Sequence, residues 1–137
     1  ARGLGDVYKR QLKSLPECNG KIGVSGFCTG GTLTYLSATR LEINAAVVYY
    51  GTQIQEFLDE GQNIHCPTIV HAGTSDEHVS LEILEGIKMA LSSNSNITVH
   101  EYDAGHAFAH TERVDHYFGG AAATAHARTF ELFGSLK

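Results

Sequence analysis

The chain has 137 residues, enough for one domain and too few for two, and 42% apolar with 18% charged residues is the composition of a globular protein. That excludes disordered, collagen-like and membrane-spanning classes, since no run approaches the ~20 consecutive apolar residues that a bilayer span needs. A formal charge of -5 without any basic cluster argues against nucleic acid and anionic membrane as partners.

In chain order, residues 1–11 show no helical or strand period and are expected to be a non-native or disordered leader, so the domain is read as 12–137. The only methionine is Met89, so Ala1 is not expected to be a translation start. From Lys21 the chain alternates in type. Residues 21–26 are a β-branched run ending in glycine, 31–40 have helical composition, and 44–50 are an apolar run closed by Gly51. A short polar helix is predicted at 55–60, a strand at 68–72, a helix at 79–91, a strand at 97–102 and a final helix at 120–133. The run Ala45-Ala46-Val47-Val48-Tyr49 is apolar on both faces, as a parallel strand covered by helices on each side requires. Val79, Leu81, Ile83, Leu84, Ile87 and Leu91 form a stripe at helical spacing that core packing explains. The fold class is α/β, with about four mostly parallel strands flanked by helices and right-handed crossovers.

The segment Lys21-Ile22-Gly23-Val24-Ser25-Gly26-Phe27-Cys28-Thr29-Gly30-Gly31 reads as a strand entering a sharp turn and a helix leaving it. That is the arrangement of a nucleophile elbow, with cysteine in the nucleophile's place. Gly26 and Gly30, two positions to either side, lack the side chains that would hold strand and helix apart. The turn sets Cys28 at a helix N-terminus, where backbone N–H groups and the helix dipole favour a thiolate and a developing oxyanion. The Thr29 N–H is the expected oxyanion donor. Ser25 lacks the flanking glycine on one side and is not the nucleophile. Such a turn needs an acid after a later strand and a histidine after the last strand. Asp76 follows the strand at 68–72 and His106 follows that at 97–102. Exits of parallel strands share one sheet edge, so Cys28, Asp76 and His106 are expected to converge. Tyr50 and Phe108 fall near the expected pocket and are read as lining it, with Phe27 beside the nucleophile.

The segments 26–31, Val48-Tyr49-Tyr50-Gly51, Cys66-Pro67 through Gly73 to Asp76, Gly105-His106-Ala107-Phe108, and Ala121-Ala122-Ala123 with Arg128-Thr129-Phe130 resemble the dienelactone hydrolase family. The resemblance covers about residues 20–137 and implies the C-terminal part of an α/β-hydrolase domain. It also implies a cytoplasmic enzyme that opens an enol-lactone, carboxymethylenebutenolide, to maleylacetate through a cysteine nucleophile, without a cofactor and as a monomer when whole. His110 stands where the family usually carries an arginine that pairs with the substrate carboxylate. Histidine is only partly cationic at neutral pH and lacks the bidentate fork, so a broader ester or lactone range is expected. The family's early acidic residue, which manages the resting thiol, has no counterpart. At ~25 residues per strand–helix pair, scaled from the ~30 residues of a βαβ unit, roughly 100 residues are expected to precede this segment in the whole domain. The isolated chain is then expected to be weakly active or inactive, with an exposed sheet edge that favours aggregation.

Three cysteines make no closed disulfide framework, so the thiols are read as reduced, in the cytoplasm. Cys18 and Cys66 are read as structural, and His100, His116 and His126 as surface or satisfied polar residues. A zinc site from His65, Cys66, His71 and His78 has the right ligand types. It is disfavoured, because His65 and Cys66 are adjacent and His71 points along a buried strand. The competing function is a non-catalytic α/β domain in which Cys28 is a redox-active or ligand-binding thiol.

Overall fold

The structure, a computed structural model, describes residues 4–137. Strands β1 (Gly23–Phe27), β2 (Ala45–Tyr49), β3 (Thr68–Gly73) and β4 (Ile97–Tyr102) are all parallel and lie side by side in chain order. Helices α1 (Leu4–Lys13), α2 (Thr29–Arg40), α3 (Leu81–Leu91) and α4 (Gly119–Gly134) accompany them, with a 3-10 segment, Ile54–Asn63, between β2 and β3.

When neighbouring strands follow one another in sequence and every crossover is right-handed, all crossing segments fall on the same face of the sheet. The packing agrees. Tyr35 and Ala38 of α2, Ile54 of the 3-10 segment, and Leu84, Ile87 and Leu91 of α3 pack with Ala46, Val48, Val70 and Ala72 of the strands. Helix α4 follows the last strand and covers the opposite face, setting Ala121, Ala122 and Ala125 against Val47 and Tyr49. Successive side chains of a strand point to opposite faces, so every residue of β2 is buried, one set under each layer. β1 alternates between exposed and half-buried residues. Its start is pinned by Asn44, whose side chain accepts the Ile22 N–H (2.7 Å) and whose own N–H donates to the Ile22 carbonyl (2.7 Å).

Three expectations change. Residues 4–11, read above as without period, belong to helix α1, while residues 1–3 of the expected leader lie outside the described residues. Leu4, Val7, Tyr8 and Leu12 do recur at helical spacing, but charged neighbours obscure so short a stripe. Asp6 holds the helix through Lys9 (2.7 Å) and Arg10 (3.4 Å), and Val7, Tyr8 and Leu12 stay exposed. Helix α3 starts at Leu81, because the Ser80 hydroxyl caps it by accepting the Ile83 N–H. Val79 is therefore buried ahead of the helix, and Leu81 is exposed rather than part of the core. The polar helix at 55–60 is a longer 3-10 segment kinked at Phe57, whose φ of -130° is not helical. No helix among the described residues is long and apolar enough to cross a membrane.

Candidate active site

Cys28 alone makes the turn from β1 into α2, at φ 55° and ψ -122°. A positive φ in a non-glycine residue costs about 1–3 kcal/mol and persists only where its surroundings fix it. Here the Cys28 N–H donates to the Tyr49 carbonyl (3.0 Å), while its own carbonyl accepts from Gly31 (2.9 Å) and Thr32 (3.3 Å). The Thr29 amide, at the first residue of α2, is left without an acceptor among the described residues.

Gly26 is needed for the reason the sequence suggested: a Cβ there would collide with the Gly30 carbonyl and lie 2.6 Å from Thr34 Oγ1. Gly30 is not, since a Cβ at that position meets nothing within 4 Å. The second close approach is one residue on. A Cβ at Gly31 would lie 2.8 Å from the Tyr49 carbonyl oxygen and 3.2 Å from Gly51 Cα, because α2 leans on the end of β2 there. Gly26→Ala is expected to cost about 1–3 kcal/mol by overpacking. Gly30→Ala, in an open helical position, is expected to leave stability unchanged or raise it by up to about 1 kcal/mol. Urea unfolding of the two variants checks the contrast.

The exit loops of β3 and β4 are laced together. Thr74 N–H donates to the Tyr102 carbonyl (2.8 Å) and Ser75 N–H to that of Ala104 (3.1 Å), and a Cβ on Gly73 would collide with the Ala104 carbonyl. This lacing carries Asp76 to His106. Asp76 Oδ1 accepts the backbone N–H groups of His78 (2.7 Å) and Val79 (3.1 Å), and Oδ2 lies 2.8 Å from His106 Nδ1. The two side chains are only 2% and 5% exposed, so little water competes for that bond. A carboxylate can only accept, so Nδ1 carries the proton and Nε2 is the basic nitrogen. It faces Cys28 Sγ at 3.3 Å. The three side chains expected to converge do so, in one hydrogen-bonded chain.

The non-glycine residues with positive φ among those described are Cys28, Tyr50 (38°) and Ala107 (59°), and all three border this chain of side chains. Tyr50 sets its ring against His106 at 5.1 Å between centroids, and the His78 ring packs on His106 at 4.5 Å and 69°. The His106 carbonyl accepts from His116 Nδ1 (3.2 Å), whose Nε2 in turn accepts from Arg113 (3.0 Å). The Asp115 carboxylate lies 3.3 Å from the same Nε2. Neither His78 nor His116 was identified as part of the site from the sequence.

A cleft of about 470 Å³ is lined by Phe27, Tyr50, Ala109, His110, Thr111 and Glu112. Phe27 stacks on Tyr49 at 4.4 Å. Burial, reinforced by Cys28 and Tyr49 nearby, pushes the Tyr50 hydroxyl up to about 12, so it stays neutral. Phe108 does not line the cleft as expected. The left-handed turn at Ala107 sends it inward, where it is wholly buried between Tyr50 (5.3 Å) and Tyr102 (5.2 Å) and backs the wall from behind.

On the α4 face, His71 is wholly buried, with Nδ1 2.9 Å from the Tyr102 hydroxyl and Nε2 3.3 Å from Thr129 Oγ1. Both ring nitrogens are thus engaged, and among the described residues no three His, Cys, Asp or Glu side chains are grouped to hold a metal ion.

The chain is 36% identical to the carboxymethylenebutenolidase of a Pseudomonas species over 124 residues, covering 90% of this chain and 52% of that protein. It is 33% identical to the carboxymethylenebutenolidase of Pseudomonas putida over 138 residues, 98% of this chain and 58% of that one. It superposes with a TM-score of 0.85, at 24% identity, on a candidate dienelactone hydrolase from Klebsiella pneumoniae, over 94% of this chain and 58% of that structure. The chain spans about half the length of the curated relatives it matches. The family model for dienelactone hydrolases matches residues 5–137, and with strand order, elbow turn and exit loops in accord, the chain belongs to the dienelactone hydrolase family.

Proposed function

We propose that the protein hydrolyses carboxylic esters or lactones, with Cys28 as nucleophile, His106 as general base and acid, and Asp76 orienting the histidine. The observation that carries this is the unbroken chain from Sγ through Nε2 and Nδ1 to the Asp76 carboxylate, anchored at a strained turn where a helix begins. In this scheme His106 Nε2 takes the thiol proton as sulfur attacks the carbonyl carbon. The tetrahedral oxyanion faces the Thr29 amide, a kind of contact worth ~3 kcal/mol of barrier. Collapse breaks the bond to the alkoxide or enolate oxygen, which receives the proton from His106. Water then attacks the thioester, His106 again removing its proton, and the acid is released with the thiol restored.

The relatives' name, carboxymethylenebutenolidase, supports an enol-lactone as substrate. The cleft-lining residues include no lysine or arginine, which supports neutral esters and lactones as well. Cys18, Cys28 and Cys66 are free thiols, in keeping with a cytoplasmic setting.

The test pairs two measurements on the protein in its whole natural chain: turnover of p-nitrophenyl acetate, and alkylation of Cys28 by iodoacetamide at pH 6.5. With His106 Nε2 3.3 Å from its sulfur to take the thiol proton, Cys28 is expected to react at least about tenfold faster than Cys18, and His106→Ala is expected to abolish the difference. Ester inertness would reject the hydrolase. Fast alkylation without turnover would leave a redox or binding thiol.

A further inference from the structure

We propose that His78 is a positioning residue of the same site: its ring forms the water-facing wall of the His106–Asp76 pair and holds His106 where Nε2 reaches Cys28. This rests on the role proposed for His106. The loop from β3 to α3 lies at the surface, with Ser75, Glu77, His78 and Ser80 exposed, yet the Asp76 side chain between them is 2% exposed. The Tyr50 ring closes the His106 imidazole on one side. The other ring packed on it is that of His78, edge to face, with its outer part in solvent.

The placement of His78 is built in, not incidental. Its backbone N–H donates to Asp76 Oδ1 (2.7 Å) while Oδ2 of the same carboxylate takes His106 Nδ1. One side chain therefore orients the histidine and also fixes the residue whose ring folds back over it. On its outer edge, His78 Nε2 lies 3.6 Å from the exposed Glu77 carboxylate. His78 belongs to neither core cluster, so packing of the fold does not account for it. Without the ring, water reaches the Nδ1–H···Oδ2 bond and the imidazole gains room to rotate away from sulfur.

The experiment uses the low-field proton resonance of His106 Nδ1–H, assigned by its loss in His106→Ala, together with steady-state ester hydrolysis and urea unfolding. His78→Phe keeps a ring of similar shape. It is expected to preserve the resonance, its slow exchange with water, and kcat within about twofold. His78→Ala, or His78→Gln where alanine disturbs the loop, is expected to speed that exchange at least about tenfold. The same variant should lower kcat about tenfold, the order expected from a small misplacement of a catalytic group, with KM and the urea midpoint unchanged. Exchange and kcat unaltered in His78→Ala would overturn the proposal. So would a phenylalanine variant as impaired as the alanine one, or a parent protein whose Nδ1 proton already exchanges freely. A parent that shows the protected proton but hydrolyses no ester would defeat the proposed activity while leaving the shielding by His78 to be decided by the exchange rates.

Discussion

Replacing Cys28 by alanine is expected to lower kcat/KM for an ester substrate at least about 10³-fold, and His106→Ala by a similar factor. The double variant should be no worse than either alone, because residues that act as one unit do not contribute additively. Asp76 allows a sharper test. Its Oδ1 accepts the two backbone N–H groups that shape the loop, and its Oδ2 accepts from His106. In Asp76→Asn the amide oxygen can still serve the two backbone donors, so the loop and the folded state are expected to survive. The amide nitrogen then faces His106 Nδ1, and because it can only donate, the proton moves to Nε2 and the base facing Cys28 is lost. A loss of about 10⁴ in kcat with little change in stability follows from that tautomer inversion. Asp76→Ala should lose both, since two buried N–H groups are left without an acceptor. Kinetics and urea curves on the five variants check this. Retained activity in Asp76→Asn would show that the acid does not set the tautomer.

The second large effect is on acid stability. Burial, with further contributions from His100, Arg128 and His126, lowers the His71 imidazole to about 3, against an unfolded value of about 6.5. The unfolded chain therefore binds a proton below pH 6.5 that the folded protein refuses. The stability contributed by neutral His71 is complete above pH 6.5 and is lost as the pH falls towards 3, by about 3 kcal/mol at pH 4.5. His71→Leu removes this proton uptake, but it also takes away the acceptor of the Tyr102 O–H, since Arg128 can only donate to that oxygen. The Tyr102 hydroxyl keeps Arg128 Nη1 (2.8 Å), and Thr129 Oγ1 keeps Tyr49 (2.6 Å) and the Ala125 carbonyl (2.9 Å). The variant is expected to lie about 1–3 kcal/mol below the parent at pH 7.5, the cost of one buried donor left without an acceptor, and to fall much less between pH 7.5 and 4.5. Urea midpoints at the two values decide it: equal drops would mean that His71 is not the acid-labile group.

Much of the site was legible because the meeting of Cys28, Asp76 and His106 depends on chain order and strand exits, both of which periodicity reports. The apolar run of β2, the glycine before the elbow, and the placing of Asp76 and His106 after later strands all follow from local pattern plus the geometry of a parallel sheet. What the sequence did not disclose depends on contacts between distant segments. The close approach falls on Gly31 rather than Gly30 because of how α2 leans on β2, and no local rule sets that lean. Phe108 turned inward because Ala107, a residue with no special liking for positive φ, adopts it. His71 is satisfied by residues 31 and 58 positions away, and His78 meets His106 only once the two exit loops are joined. Helix α1 escapes the pattern for a different reason: Val7, Tyr8 and Leu12 face solvent, so no burial pattern stands out from the charged residues.

The strand order has a consequence for how this region is made. Each strand pairs with the one translated just before it, so each strand has its partner already made when it leaves the ribosome. Cys28 emerges first, Asp76 next and His106 last. During synthesis the Cys28 thiol thus meets His106 only once β4 and its exit loop have joined the sheet.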